Sequence, residues 1–174
     1  FLERIFRKGA ARSDFSFTTP AGYLSSNSEQ EYSTISPVSS SWGEGGYFET
    51  WTQEENNWVN GEIQTRCEQL ARFVRIFEEN RNDYSDKVIE HRQRCIQLMT
   101  REIMLAQSSD WGFLMQNEPS MEYAEARTRG HLENFDKIWG CTMDLGKTNV
   151  LDEIEEANPI FPDLPWNIFE PYVR

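Results

Sequence analysis

A chain of 174 residues with 38% apolar and 13% aromatic content is one domain's worth of protein and can bury a core, so a disordered segment is excluded. Acidic side chains number 29 against 17 basic ones, and the net charge of −12 repels a phosphate backbone, which argues against nucleic acid as a partner. No run of about eighteen apolar residues occurs, and "FLERIFRKGAARSDF" has too short an apolar stretch and the wrong flanks for a signal peptide, so no membrane partner is expected.

The chain enters directly on an amphipathic pattern, with Phe1, Leu2, Ile5 and Phe6 on one face and no initiating methionine, which predicts a piece of something longer. Residues 1–9 read as the end of a helix stopped by Gly9. From Ser13 to Ser41 the composition shifts to Ser, Thr, Pro, Gly and Asn with no sustained period, the pattern of a loop or linker. An irregular stretch reaching Trp51 is too long for an idle connection inside a compact domain, and loops of that length are usually functional or flexible.

After Trp58 the period becomes helical. Val59, Ile63, Cys67, Leu70, Val74 and Phe77 form one stripe, with Glu62, Arg66, Glu68 and Arg72 on the opposite face. "ENRNDYSD" breaks this helix. A second runs from about Ser85 to Ser108, with Val88, Cys95, Met99, Ile103 and Ala106 inward and Ile89, Ile96 and Leu98 widening the sector, which predicts a central position. A third begins near Pro119 and carries Met121, Ala124, Leu132, Phe135, Ile138 and Trp139. Val150 to Ala157 form a short fourth. "NPIFPDLPWNIFEPYVR" has four prolines and six large apolar residues, so it reads as an extended strap packed back on the body. The expected fold is therefore all-α: a bundle of three long helices plus a short one, with a long N-terminal loop and a C-terminal strap.

Cys67, Cys95 and Cys141 are odd in number and widely spaced, so neither a disulfide framework nor a zinc site is expected, and a reducing cytosol fits. His91 and His131 stand alone at mid-helix positions and read as structural or solvated. The carboxylates of "EYAEAR" and "LDEIEEAN" read as solvent-facing.

The unusual stretch is "SSWGEGGYFETW", residues 40–51. Gly43, Gly45 and Gly46 permit a bend, and Trp42 and Trp51 flank it. The apolar C–H faces of a glucose ring can be buried on indole faces while backbone amides take the hydroxyls, which makes a sugar platform. The bland alternative is that both tryptophans cap the bundle core. In "LAQSSDWGFL" the same choice arises: Ser108, Ser109 and Asp110 are either helix caps with Trp111 and Phe113 as core plugs, or Asp110 accepts a sugar hydroxyl. Glycoside chemistry needs two carboxylic groups, about 5 Å apart in the retaining case. Glu44 alone sits among the glycines, and one acid does not make a pair, so no catalytic residue is assigned.

Four stretches together resemble the C-terminal part of the glycoside hydrolase family 57 enzymes, in their α-1,4-glucan branching branch. They are "SSWGEGG" followed by Trp51, "REIMLAQSSDWGFL", "YAEARTRGHLENF" and "NPIFPDLPWNIF", in matching order over about residues 38–169. "FLERIFRK" is similar to the helix after that family's last barrel motif. The resemblance implies an upstream seven-stranded β/α barrel holding a glutamate nucleophile and an aspartate acid/base. It also implies retaining transfer of an α-1,4-linked chain to a 6-hydroxyl with no cofactor or metal, and a helical domain walling the glucan cleft. Residues 1–12 then end a helix of the barrel domain, 13–41 link, and 42–174 form the helical domain. Trp42, Gly45, Gly46, Trp51, Asp110 and Trp111 are the substrate-binding residues it implies, with α-glucan as the partner. Amylase and 4-α-glucanotransferase activities occur in the same family. The approach "SSNSEQEYSTISPVSS" departs from a typical member. A different class of reading is a helical interaction module whose loop aromatics anchor a protein partner. An isolated piece of this kind is expected to self-associate through its uncovered surface.

Overall fold

A computed structural model describes residues 1–30 and 33–168, and the chain divides into two compact units, Phe1–Val38 and Ser39–Arg174. The first unit holds α1, Leu2–Ala10, and α2, Pro20–Ser26. Gly9 does not stop α1; it lies inside the helix and is buried, because a Cβ there would fall 2.2 Å from the Phe17 ring. Phe17 in turn packs on Phe6 at 4.8 Å and on Phe15 at 5.6 Å. The segment read as loop likewise contains a helix. Thr19 caps α2 by accepting from the Gly22 amide at 3.0 Å, and Pro20 opens its first turn, a start signal too short to leave a hydrophobic period.

The second unit is the helical bundle: α3, Asn57–Glu79; α4, Asp86–Ala106; α5, Ser109–Leu114; α6, Glu118–Trp139; and α7, Thr148–Ala157. No strand occurs among the described residues. The expected stripes are the buried ones. Leu70, Val74 and Phe77 of α3 meet Cys95, Ile96, Met99 and Ile103 of α4, with Phe135 and Ile138 of α6 and Leu151 of α7 completing the core. Helix α4 is central, packing against α3, α6 and α7. That position explains its wide apolar sector, since a helix flanked on three sides has little surface left for water. Val88 and Ile89 are half-buried at its open end. Helix α5, at six residues, spans less than two turns and so shows no periodicity in the sequence.

Polar groups buried by α4 were not visible in its stripe. Glu102 is 1% exposed, and its Oε2 accepts from His131 Nδ1 of α6 at 2.7 Å while Oε1 accepts from Asn158 Nδ2 at 2.9 Å. His91 is also structural, with Nε2 placed 2.8 Å from the Cys141 carbonyl. Of the charged face of α7, Asp152, Glu153 and Glu156 are exposed, while Glu155 is half-buried and held with Asp152 by Arg94, both at 2.6 Å.

The strap folds back as expected, though it turns instead of running extended. Arg101 donates to the carbonyls of Asn158 and Phe161 at 3.3 and 3.4 Å, and Gln97 donates to the Leu164 carbonyl at 2.7 Å. Trp166 meets Phe77 edge-on at 5.7 Å beneath the Arg81 guanidinium. The strap's last residues, 169–174, lie outside the described residues.

Candidate functional site

Two short 3-10 turns, Glu44–Gly46 and Glu49–Trp51, shape the tryptophan loop. Gly43, Gly45 and Gly46 have φ of 106°, 77° and 73°, a left-handed path that costs little only without a Cβ. Phe48 adopts φ 70° without that exemption, so the bend stores strain that its surroundings must hold. They do so by hydrogen bonds. Ser41 Oγ accepts from the Phe48 amide at 2.6 Å, the Ser41 amide donates to the Gly46 carbonyl at 2.7 Å, and the Tyr47 amide donates to Glu49 Oε2 at 3.1 Å.

The loop is fastened to α5 by one buried amide. Asn56, 1% exposed, donates from Nδ2 to the Thr50 carbonyl at 2.9 Å and to the Gly112 carbonyl at 3.0 Å. Gln116 donates to the same Thr50 carbonyl. Trp51 Nε1 donates to the Ser109 carbonyl at 2.9 Å, a second tie between the loop and α5.

These ties set out a row of rings. Trp42, 68% exposed, lies 6.3 Å from Trp51, tilted to it, and 5.5 Å from Phe113, edge-on. A residue with so much apolar area in water is not a core cap, and Trp51 is only half-buried. On one side is a groove of about 450 Å³ lined by Trp42, Gly45, Glu49, Thr50, Phe113 and Gln116. On the other is a groove of about 380 Å³ where Trp51, Trp111, Asn56 and Gln107 are among the lining residues. Trp111 donates its Nε1 hydrogen to the Leu105 carbonyl at 2.8 Å and meets Tyr123 at 6.1 Å.

Of the six residues singled out in the sequence, Trp42, Gly45, Trp51 and Trp111 line these two grooves. Gly46 shapes the bend and lines neither. Asp110 sits exposed in the first turn of α5, accepts from Ser108 Oγ at 3.2 Å, and also lines neither. Phe113 and Asn56 were not anticipated as site residues. Phe113 is a core plug in one of the two sequence readings of its segment, and Asn56 precedes the helix as an ordinary start residue. Nothing local reveals that its amide reaches a carbonyl 56 positions away.

Among the described residues no group of three His, Cys, Asp or Glu side chains comes together as a metal site would need. Cys67, half-buried in the groove beside Trp51, has its thiol pushed up by burial and by neighbouring Glu68, which keeps it protonated. Helix-length apolar segments fit to cross a membrane are absent from the described residues.

Comparison with known proteins places this architecture. Over 167 residues the chain is 26% identical to the 1,4-alpha-glucan branching enzyme of Thermococcus kodakarensis, covering 92% of this chain and 23% of that enzyme. In fold it is similar to the crystal structure of the novel alpha-amylase AmyC from Thermotoga maritima, with a TM-score of 0.65 and 25% identity over 95% of this chain and 28% of that one. The chain thus spans about a quarter of the length of either relative. A family model described as 1,4-alpha-glucan branching enzyme, C-terminal, matches residues 62–169, beginning after both loop tryptophans. With its bundle helices α4, α6 and α7 lying inside that match, the chain belongs to the branching-enzyme C-terminal domain family.

Proposed function

We propose that residues 42–174 are the helical domain of a retaining α-1,4-glucan branching enzyme and wall one side of its glucan cleft. In this reading residues 1–12 end a helix of an upstream barrel domain and 13–41 link the two. The nucleophile and the acid/base come from that barrel: the pair cleaves an α-1,4 bond, holds the glucosyl chain covalently, and releases it to a 6-hydroxyl. The three free thiols suit a reducing cytosol. Trp42 and Trp51 are the residues we assign to the glucan, with Gly45 and Gly46 shaping the rim and Trp111 supporting it, and Asp110, exposed in the first turn of α5 outside both grooves, is assigned as an acceptor for a sugar hydroxyl reaching past them.

The observation that supports this best is Trp42, held by a hydrogen-bonded, strained loop yet exposed over most of its surface beside Trp51 and Phe113. Exposed apolar area is unfavourable in isolation and is offset if a ligand covers the ring, while the strained turn at Phe48 fixes the loop that presents it. The likeness to an alpha-amylase favours a second reading, hydrolysis, in which water replaces the acceptor hydroxyl. Both readings use the same rim.

The test is the full-length protein acting on amylose, with new α-1,6 branch points and new reducing ends counted separately. Branch points exceeding reducing ends support transfer, and the reverse supports hydrolysis. Trp42→Ala is expected to weaken glucan binding by about 1–3 kcal/mol, the scale of burying a large apolar side chain. Wild-type binding and activity in that variant would refute the platform.

A further inference from the structure

We propose that Met143 is a redox modification site: a hydroperoxide converts its thioether to the sulfoxide, and the buried guanidinium of Arg92 receives the new oxygen. The inference is independent of the glucan reading and concerns the turn between α6 and α7, residues 140–147.

Exposure singles out Met143 among the methionines. It is 77% exposed, whereas Met104 is 37% exposed, Met121 is half-buried, and Met99 and Met115 are buried. A thioether open to solvent meets a peroxide first.

Arg92 supplies the other half of the site. It lies on α4 at 8% exposure, and its one hydrogen bond to a described residue runs from Nη2 to Met143 Sδ at 3.1 Å. Its Nε meets no acceptor, and no carboxylate of the described residues pairs with it, whereas neighbouring Arg94 is held by both Asp152 and Glu155. The Tyr84 ring lies 4.2 Å from Cζ and balances part of the charge, yet gives the N–H groups no oxygen to meet. Buried charges are ordinarily paired or hydrogen-bonded, and a thioether sulfur is a weak acceptor for a guanidinium rich in donors. Arg92 is therefore short of a strong acceptor and points at the exposed sulfur.

Oxidation supplies that acceptor. The sulfur attacks one oxygen of hydrogen peroxide, an S–O bond forms as the O–O bond breaks, and the proton on the transferred oxygen passes to the departing hydroxide, which leaves as water. Sulfur loses two electrons and the peroxide gains them. Because the side chain is exposed, rotation about its Cγ–Sδ bond is free to turn the new oxygen onto Nη2. A charge-assisted hydrogen bond to oxygen then replaces the contact to sulfur. A core methionine loses packing when oxidised, but here the oxidised form ties the turn to α4 more tightly, beside the existing contact of His91 Nε2 with the Cys141 carbonyl.

The full-length protein, treated with hydrogen peroxide, is compared with untreated protein by peptide mapping and amide hydrogen exchange. Met143 is expected to gain oxygen before Met104, and the reverse order overturns the site. In the turn the Thr142, Asp144 and Lys147 amides close backbone bonds of 3.2, 3.0 and 3.2 Å, so their exchange reports its opening. Exchange over residues 140–147 is expected to slow about tenfold on oxidation, the factor carried by one hydrogen bond of about 1.4 kcal/mol. Unchanged or faster exchange overturns the proposal. Arg92→Leu is expected to abolish the slowing, and slowing that survives there overturns the role of Arg92. Met143→Leu, a change at an exposed position, gives a decision without touching the buried arginine. Peroxide that still slows exchange with no sulfur at position 143 overturns the proposal, and loss of the slowing upholds it.

Discussion

Replacing Asn56 with alanine isolates the joint on which the platform depends. The change removes two hydrogen bonds, to Thr50 and Gly112, each worth about 1 kcal/mol net. At Gly112, whose half-buried carbonyl loses its side-chain donor, the cost is about 1–3 kcal/mol in place of about 1, whereas the Thr50 carbonyl keeps Gln116. Recovering the orphaned Oδ1 offsets part of this. The sum is about 3 kcal/mol, which at about 3 °C per kcal/mol for a domain of this size lowers Tm by roughly 9 °C. With the Asn56 tie cut and only the Trp51–Ser109 bond left between the loop and α5, Trp51 gains solvent and its emission shifts to the red, before global unfolding and at lower denaturant than the far-UV signal. Thermal and urea unfolding followed by both signals decides the matter. A stability loss under about 0.5 kcal/mol, the scale of an ordinary surface change, together with an unmoved emission maximum, refutes the assignment of Asn56 as the joint.

Two further outcomes follow from the core. Glu102→Ala leaves His131 and Asn158 without their buried acceptor, and with each unsatisfied donor costing about 1–3 kcal/mol it is expected to be strongly destabilising by urea unfolding; a cost near that of a surface site would show the cluster to be incidental. Burial, with Cys141 adding to it and Arg94 and Arg92 opposing, pushes the Cys95 thiol from 9.0 up to about 12. An acid whose folded value is raised stabilises the fold fully below its unfolded value and loses that contribution upward, here between pH 9 and about 12, at up to about 1.4 kcal/mol per pH unit. Unfolding midpoints taken from pH 8 to 11 should therefore fall more steeply in the wild type than in Cys95→Ala, and parallel falls would contradict the burial argument.

The bundle was legible in the sequence because its signal is local. A helix that buries one face must repeat an apolar residue every three or four positions, and residues 59–77, 88–106 and 121–139 each carry that repeat for several turns. Trp42, Trp51 and their glycines were visible for a related reason: large rings beside a bend contradict the composition around them. Helices α2 and α5 were not, since seven and six residues hold too few turns for a period to emerge. Nor was Gly9, whose role depends on a phenylalanine ring arriving from another segment. Tertiary structure alone decided that Phe113 joins the ring row, that Glu102 and His131 pair across 29 positions, and that Asn56 reaches Gly112 across 56. A side-chain amide or carboxylate has the same character wherever it stands in the chain. Which carbonyl or ring it meets depends on how helices pack, and helix packing is a property of surfaces assembled from distant residues.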